Sequence, residues 1–170
     1  MKPVLLLDVD GVINVYAASV SSHHLEAEFF EGLFYVRIPI GMGVRLRTLA
    51  EHYEIVWCTA WEEKARQFGD RLSVPELATA PYVRWERASL CDATWKIRDV
   101  RHYVGENLAG RPVAWVDDDL GGDADQWALF RSADGAPTLC VKTNPSKGLT
   151  QEVCGLLVDF ALAHGRQEAA

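Results

Sequence analysis

The sequence predicts an α/β fold of three layers, in which helices cover both faces of a parallel β-sheet. Two observations support this: short apolar, β-branched-rich segments recur along the chain, and segments with helical spacing of apolar residues separate them. This alternation with fully apolar strands is typical of buried parallel sheets. The 170 residues suffice for one sizeable core, so we expect a single domain over residues 1–165 and a frayed tail at 166–170.

Five segments are predicted as strands. The first, Val4–Leu7, is an uninterrupted apolar run, which indicates a buried strand. The third is the weakest, because only part of it is apolar and β-branched or aromatic. After Val4–Leu7, the predicted strands are 55–58, 82–85, 113–116 and 138–141.

Helices are predicted between these strands from apolar spacing and capping residues. Thr150 is a candidate N-cap for a helix over 150–164, and Asp92 is a candidate N-cap for a helix over 94–108. The remaining predicted helices are 43–52, 61–72 and 125–132.

One segment, 29–40, interrupts the alternation. It contains two β-rich pieces around Glu31 and Gly32, which is typical of a β-hairpin inserted between the first strand and the first helix. Right-handed crossovers place the carboxyl ends of parallel strands along one edge of the sheet. We expect the hairpin to project over that edge as a flap.

Charge and composition exclude several classes of protein. A formal net charge of −7 disfavours non-specific binding to nucleic acid or membranes. No stretch approaches the ~20 apolar residues of a membrane span, and the apolar run before Asp8 is too short for a signal peptide. The four cysteines form no CxxC pair, which argues against zinc and favours a reducing compartment. We therefore expect a cytoplasmic protein without membrane partners.

Reactive side chains follow three of the predicted strands. Asp8 and Asp10 follow the first, Thr59 the second and Asp117 the fourth. We expect them to converge, because ligands bind at the carboxyl edge of α/β sheets. Unpaired buried carboxylates are costly, so these acids need solvent, a cation or a metal. The residues alone leave open a solvated strand end, a helix cap at Thr59 and an acidic turn at 117–119 that continues to Asp123 and Asp125.

In chain order, the edge carries DVD at 8–10, Thr59, Lys96 and DDD at 117–119. This order of four motifs resembles the haloacid dehalogenase (HAD) superfamily, whose members mostly hydrolyse phosphate monoesters. The resemblance spans residues 4–119. It implies a Rossmann-like sheet with the predicted strands in the order 5-4-1-2-3.

The resemblance also implies catalytic roles. Asp8 matches the nucleophile that forms an aspartyl-phosphate, and Asp10 matches the general acid and base. Thr59 matches the hydroxyl that hydrogen-bonds the transferring phosphoryl group, and Lys96 matches the cation beside it. The residues alone allow Lys96 to be a surface lysine, and Lys64 is a rival that follows the Thr59 strand too closely.

Mg²⁺ is the implied cofactor, held by Asp8, the backbone carbonyl of Asp10, Asp117 and either Asp118 or Asp119, of which we prefer Asp118. A hard cation would remove the repulsion between a carboxylate nucleophile and a phosphate. Gly11 permits the turn that redirects Asp10 over the leaving group. We assign Gly11, Thr59 and Lys96 to substrate binding.

Neither place at which related proteins carry a cap domain has room for one. Residues 60–95 already hold a predicted helix and a short strand, and the segment before residue 43 holds the hairpin. We therefore expect an open site for a small phosphorylated molecule or an exposed macromolecular phosphate, with nucleic acid only as a substrate. A homo-oligomer, or a partner that completes the site, is left open.

The order of the motifs disfavours two other functions of similar α/β folds. A response-regulator receiver carries its acidic pair before its phospho-acceptor and lysine, whereas here the acidic cluster follows Lys96. Dehalogenases of the superfamily lack the second aspartate of DxD, so Asp10 favours phosphate chemistry. A non-catalytic or signalling phospho-acceptor domain remains the alternative.

Three further residues are candidate walls or contacts of the site. Asn14 and Trp61 are candidate wall residues, and Trp61 either stacks on a planar substrate or belongs to the core. Arg37, in the hairpin, is a candidate phosphate contact. His23 and His24 receive no role.

Overall fold

The computed structural model describes residues 1–16, 24–29 and 34–165. The predicted turn at Glu31 and Gly32, His23 and the tail at 166–170 lie outside the described residues. A 3₁₀ helix, Glu62–Arg66, follows β4. The other elements, in chain order, are β1 Val4–Leu7, β2 His24–Phe29, β3 Phe34–Pro39, α1 Met42–His52, β4 Glu54–Trp57, α2 Gln67–Leu72, α3 Pro75–Thr79, α4 Ile97–Asn107, β5 Val113–Asp117, α5 Gly122–Ala133, β6 Thr138–Lys142 and α6 Gln151–His164.

Four strands form a parallel sheet in the order β4-β1-β5-β6. Strand β1 is central, with Leu7 opposite Trp57 of β4 on one side and Val116 of β5 on the other. All residues of β1 and β5 are buried, because helices cover both faces. The predicted α/β class with a parallel sheet is confirmed.

The five-stranded order 5-4-1-2-3 is not confirmed, because the segment predicted at 82–85 is not a strand. Tyr82 forms only an isolated parallel bridge with Trp57. Further pairing stops because the backbone N–H of Trp85 donates to the Glu62 carboxylate at 3.3 Å, and the Trp85 indole donates to the Thr59 carbonyl at 2.9 Å. Side-chain partners thus replace the sheet partner that this segment would need.

Alternating side chains of β1 contribute to two cores, one on each face of the sheet. Leu5 and Leu7 belong to the core that includes buried residues of α1 and α6. Val4 and Leu6 belong to the core that includes buried residues of α4 and α5. With both faces covered, the ends of the strands are the part of the sheet left for ligands.

The inserted hairpin lies earlier in the chain than predicted. Strands β2 and β3 pair antiparallel, with His24 opposite Pro39 and Phe29 opposite Phe34. The hairpin was predicted to begin at residue 29, whereas β2 is the alternating segment HLEAEF at 24–29, in which every second residue is polar. Such alternation is the pattern of a strand with one polar face. Strand β3 is joined to the chain after β1, since the N–H of Val15 donates to the Arg37 carbonyl at 2.9 Å.

Helix α6 and its cap agree with prediction, whereas α4 does not begin where predicted. The Thr150 hydroxyl accepts a hydrogen bond from the N–H of Val153. Helix α4 starts at Ile97, and the expected cap Asp92 instead forms an ion pair with Arg98 at 2.7 Å. The helix predicted at 61–72 is divided into the 3₁₀ helix and α2.

Two further differences concern helices α5 and α3. Helix α5 begins at Gly122, before the predicted residue 125, and α3 was not predicted. No helix in the described part of the chain combines the length and apolar character that crossing a bilayer requires.

Replacing Thr150 by alanine should lower the free energy of unfolding by about 1 kcal/mol, because an early N–H of α6 loses its acceptor. Thr150→Ser keeps the hydroxyl and should retain most of that stability. Urea denaturation of the two variants beside the wild type measures the difference. Equal losses in both would show that the hydroxyl at 150 does not cap α6.

Candidate functional site

The carboxyl ends of β1 and β5 bring Asp8 and Asp117 to the same edge of the sheet. The two strands pair in parallel with Leu7 opposite Val116, so the residues that follow are neighbours. Both aspartates are buried. The predicted convergence of these two acids, remote in sequence, is therefore present in the structure.

Lys96, the residue before α4, is buried between these acids. Its Nζ donates to Asp8 Oδ2 and to Asp117 Oδ2, each at 2.7 Å, and to the carbonyl of Cys58 at 3.3 Å. An ammonium group has three hydrogens to donate, and each has an acceptor here. Lys96 is thus fixed at the edge and is not a surface lysine.

Asp118 completes a group of three carboxylates, which we call the acidic triad. Asp8, Asp117 and Asp118 each offer a carboxylate oxygen, and these oxygens lie within 4.8 Å of one another. Asp119 contributes its backbone, because its N–H donates to Asp117 Oδ1 at 2.9 Å. Of Asp118 and Asp119, the two candidates for the second acidic metal ligand after Asp117, the structure thus brings the Asp118 carboxylate into the triad.

Charge within the acidic triad is only partly compensated. Burial, followed by the charge of Asp117, raises the pKa of Asp8 to about 8, although Lys96 and the N–H of Val9 act in the opposite direction. Burial and Asp117 also raise the pKa of Asp118. Burial alone would lower the pKa of Lys96, but the carboxylates of Asp8 and Asp117 hold it above its ordinary value.

The donor set of the acidic triad fits a divalent cation. With a cation bound, all three carboxylates would be ionised and would carry three negative charges, of which the ammonium of Lys96 balances one and leaves two. Carboxylate oxygens at this separation are the ligands that hard divalent cations prefer. Both the charge and the type of donor therefore match an ion such as Mg²⁺.

Asp10 lies beside the triad, and two side chains fix its carboxylate. The indole N–H of Trp61 donates to Asp10 Oδ2 at 2.8 Å, and the amide of Asn14 donates to Asp10 Oδ1 at 2.7 Å. Asn14 is itself oriented, since its Oδ1 accepts from the N–H of Arg37 at 2.9 Å. The hairpin strand β3 thus takes part in holding Asp10 through the backbone of Arg37.

Gly11 provides the turn between the two aspartates of DVD and the space for Asp118. Its φ of +67° favours glycine, and a Cβ at this position would lie 2.2 Å from Cγ of Asp118. The carboxylate of Asp118 can therefore approach this turn only because residue 11 has no side chain.

Thr59 is fully buried at the end of β4. Its hydroxyl accepts from the N–H of Trp61 at 3.4 Å, and its carbonyl accepts from the Trp85 indole at 2.9 Å. The neighbouring carbonyl of Cys58 is the third acceptor of Lys96. Thr59 is therefore adjacent in the chain to a residue that bonds Lys96, and its role in binding a phosphoryl group stays a prediction.

Two clefts meet at this edge and share Asp10 and Ala60. The inner cleft has a volume of about 290 Å³, and the outer cleft has a volume of about 350 Å³. The inner cleft is lined by Asp8, Asp10, Tyr16, Ala60, Trp95, Lys96, Asp118 and Asp119. The outer cleft is lined by Asp10, Asn14, Tyr35, Val36, Ala60, Trp61 and Lys64.

Comparison with protein-family models matches residues 4–154 to the family described as HAD domain in Swiss Army Knife RNA repair proteins. The chain belongs to this HAD family. The superfamily suggested by the motif order is thereby confirmed, and membership indicates a phosphohydrolase-type or related activity. No curated protein matches the chain.

A polar network in the HAD domain positions the segment before Lys96. Thr94 donates to the Asp123 carboxylate through its hydroxyl at 2.6 Å and its N–H at 3.0 Å. The Thr94 hydroxyl also accepts from the N–H of Gly121 at 2.8 Å. Burial favours a higher pKa for Asp123, but the bonds from Thr94 hold it below its ordinary value.

Sequence reasoning missed this network and several cleft residues of the HAD domain. Asp123 was assigned only to an acidic turn, although an acid at the start of a helix is a recognisable signal for local N–H partners. Trp95, beside Lys96, and Tyr16 carry no sequence signal that distinguishes them from core or surface aromatics. Trp61 and Asn14, expected as candidate walls, line the outer cleft.

Adjacent glycines allow a matched test of this network. A Cβ at Gly121 would lie 2.8 Å from Cβ of Ala93 and 2.9 Å from its backbone, whereas a Cβ at Gly122 meets nothing within 4 Å. Gly121→Ala should lower the free energy of unfolding by about 1–3 kcal/mol, and Gly122→Ala should leave it unchanged or higher. Guanidinium denaturation of both variants measures this. Indistinguishable stabilities would contradict the close approach of the two loops.

Proposed function

We propose that the protein is a Mg²⁺-dependent phosphohydrolase that cleaves a phosphate monoester through an aspartyl-phosphate on Asp8. The observation that carries this proposal is the acidic triad, in which Lys96 bridges the buried Asp8 and Asp117 while the half-buried Asp118 lines a cleft beside them. Membership in a HAD family supports the same class of reaction. Asp10, held beside the triad by two donors, supplies the second carboxylate that such a mechanism needs.

The residues that would hold Mg²⁺ are Asp8, Asp118, the backbone carbonyl of Asp10 and Asp117, the last directly or through water. Bound Mg²⁺ would supply the positive charge that lets a carboxylate approach a phosphate dianion. Lys96 adds positive charge at the same place, because its Nζ is 2.7 Å from Asp8 Oδ2.

The chain's own residues carry the two chemical steps of the proposal. In the first, a carboxylate oxygen of Asp8 attacks phosphorus, the bond to the leaving oxygen breaks, and Asp10 donates a proton to that oxygen. In the second, Asp10 takes a proton from water, whose oxygen attacks the aspartyl-phosphate and releases inorganic phosphate and Asp8. Thr59 would hydrogen-bond the phosphoryl group during both steps, and the positive charge of Lys96 would stabilise it.

Trp61 and Asn14 are positioning residues for Asp10 in this scheme. Both donate to its carboxylate, so they fix the direction in which its proton is delivered. The backbone of Arg37 in β3 supports Asn14, and we infer that the hairpin acts as a partial flap over the leaving-group side of the site.

An open cleft suits a small phosphorylated molecule or the exposed phosphate of a macromolecule. The description of the matching family names RNA repair, which makes a terminal phosphate of a nucleic acid a leading candidate. In this proposal nucleic acid is a substrate, consistent with the net charge of −7. Cytoplasmic residence and the oligomeric state stay predictions of the sequence.

The purified protein should release phosphate from p-nitrophenyl phosphate with Mg²⁺ and lose this activity with EDTA. Asp8→Asn removes the nucleophile and should lower turnover by at least about a hundredfold, with an unchanged circular dichroism spectrum. Asp134→Asn, a change of an exposed acid after α5, is the matched control and should keep full activity. Wild-type turnover by Asp8→Asn would show that the covalent mechanism is wrong.

A further inference from the structure

We propose that the outer cleft is a stacking subsite for the nucleobase of the phosphorylated substrate, with Tyr35 of β3 as its outer wall. This proposal rests on the phosphohydrolase function and names its substrate class, a phosphate monoester whose leaving group carries a purine or pyrimidine base. Free nucleotides and the ends of nucleic-acid strands both have this chemistry, and the experiment below distinguishes them.

The position of Asp10 decides which part of the substrate enters the outer cleft. Asp8, Lys96 and Asp118 line the inner cleft, and none of these three residues lines the outer cleft. Asp10 lines both. Because Asp10 serves the leaving oxygen, whatever is attached to that oxygen extends from Asp10 into the outer cleft.

One wall of the outer cleft is a tryptophan whose ring is fixed before substrate arrives. The indole of Trp61 donates to Asp10 at 2.8 Å, and its ring packs edge-on against Phe68, with centroids 5.4 Å apart and an interplanar angle of 67°. A fixed aromatic ring binds a planar partner with little loss of side-chain entropy. Trp61 therefore couples the orientation of the general acid to the wall of the neighbouring subsite.

A second aromatic residue of the outer cleft comes from the hairpin. Tyr35 is 65% exposed, although its neighbour Val36 is buried in the core. Side chains alternate along a strand, so the burial of Val36 fixes β3 and turns Tyr35 to the solvent side, where it lines the outer cleft. An exposed tyrosine and a fixed tryptophan that line one cleft offer aromatic surfaces on which nucleic-acid bases stack.

Polar groups of the outer cleft suit the rest of a nucleotide. Lys64 brings an ammonium to the same lining as the two aromatic residues. An ammonium suits a neighbouring phosphate or a base carbonyl. A volume of about 350 Å³ falls within the range of ligand pockets. Sugar phosphates and phosphoserine lack a planar group that these walls would recognise.

The test compares substrates that share a phosphate ester and differ in the base. Adenosine 5′-monophosphate is paired with ribose 5-phosphate, and an RNA oligonucleotide with a terminal phosphate is paired with the same strand lacking its terminal base. Tyr35→Ala should raise KM roughly ten- to hundredfold for the substrates with a base, with little change in kcat. The same variant should leave the base-free substrates unaffected.

Two variants control for the loss of an aromatic surface. Tyr35→Phe keeps the stacking face and should behave as the wild type. Phe130→Ala removes an exposed aromatic side chain from a separate groove between α4 and α5. It should leave KM unchanged for both substrates of each pair. A lower KM for the phosphorylated RNA oligonucleotide than for adenosine 5′-monophosphate would identify strand ends as the substrate. A lower KM for adenosine 5′-monophosphate would identify free nucleotides.

Binding to Asp8→Asn separates this proposal from the catalytic one. Calorimetric titration with adenosine 5′-monophosphate in Mg²⁺ needs no turnover, and adding Tyr35→Ala should weaken that binding while binding of ribose 5-phosphate stays the same. If this holds and the wild type releases no phosphate, the subsite stands and the hydrolytic function is wrong. If turnover is found but Tyr35→Ala affects both members of a pair equally, or neither, the subsite is wrong. A stronger preference for a phosphotyrosyl peptide than for any nucleotide would also overturn it.

Discussion

The site depends on one interaction, the ammonium of Lys96 held between two buried carboxylates. Removing one partner of a buried ion pair leaves an uncompensated charge and typically costs about 3–5 kcal/mol. Three elements must meet to satisfy this lysine, because Asp8 follows β1, Asp117 ends β5 and Lys96 precedes α4. The network of Thr94 and Asp123 fixes the approach of that third element, so remote parts of the chain determine one local charge arrangement.

Around this centre the structure separates two tasks. The acidic triad has more negative charge than Lys96 balances, which prepares it for a cation and a phosphate. Asp10 is held outside the triad by Trp61 and Asn14, toward the side on which a leaving group would lie. Two carboxylates that are two residues apart in sequence thereby have different surroundings and different proposed roles.

The sequence predicts those parts of this arrangement that depend on local patterns, and it does not predict those that depend on contacts between distant residues. Apolar runs that end in acids locate β1 and β5, and parallel pairing then places Asp8 beside Asp117. The choice of Asp118 needs the structure, because it depends on the space above Gly11. The segment at 82–85 fails as a strand since Trp85 bonds to Glu62 and Thr59, contacts that no local pattern reveals. The outer cleft likewise depends on a hairpin whose first strand, 24–29, has polar side chains at every second position.

Titration of Mn²⁺, followed by electron paramagnetic resonance, measures whether the acidic triad binds one divalent cation. We expect one ion per chain and competition by Mg²⁺. The Kd should be at least about tenfold higher for Asp118→Asn, and Asp134→Asn, the control, should bind as the unaltered protein does. Wild-type affinity in Asp118→Asn, or no bound ion in the unaltered protein, would contradict cation binding by the triad.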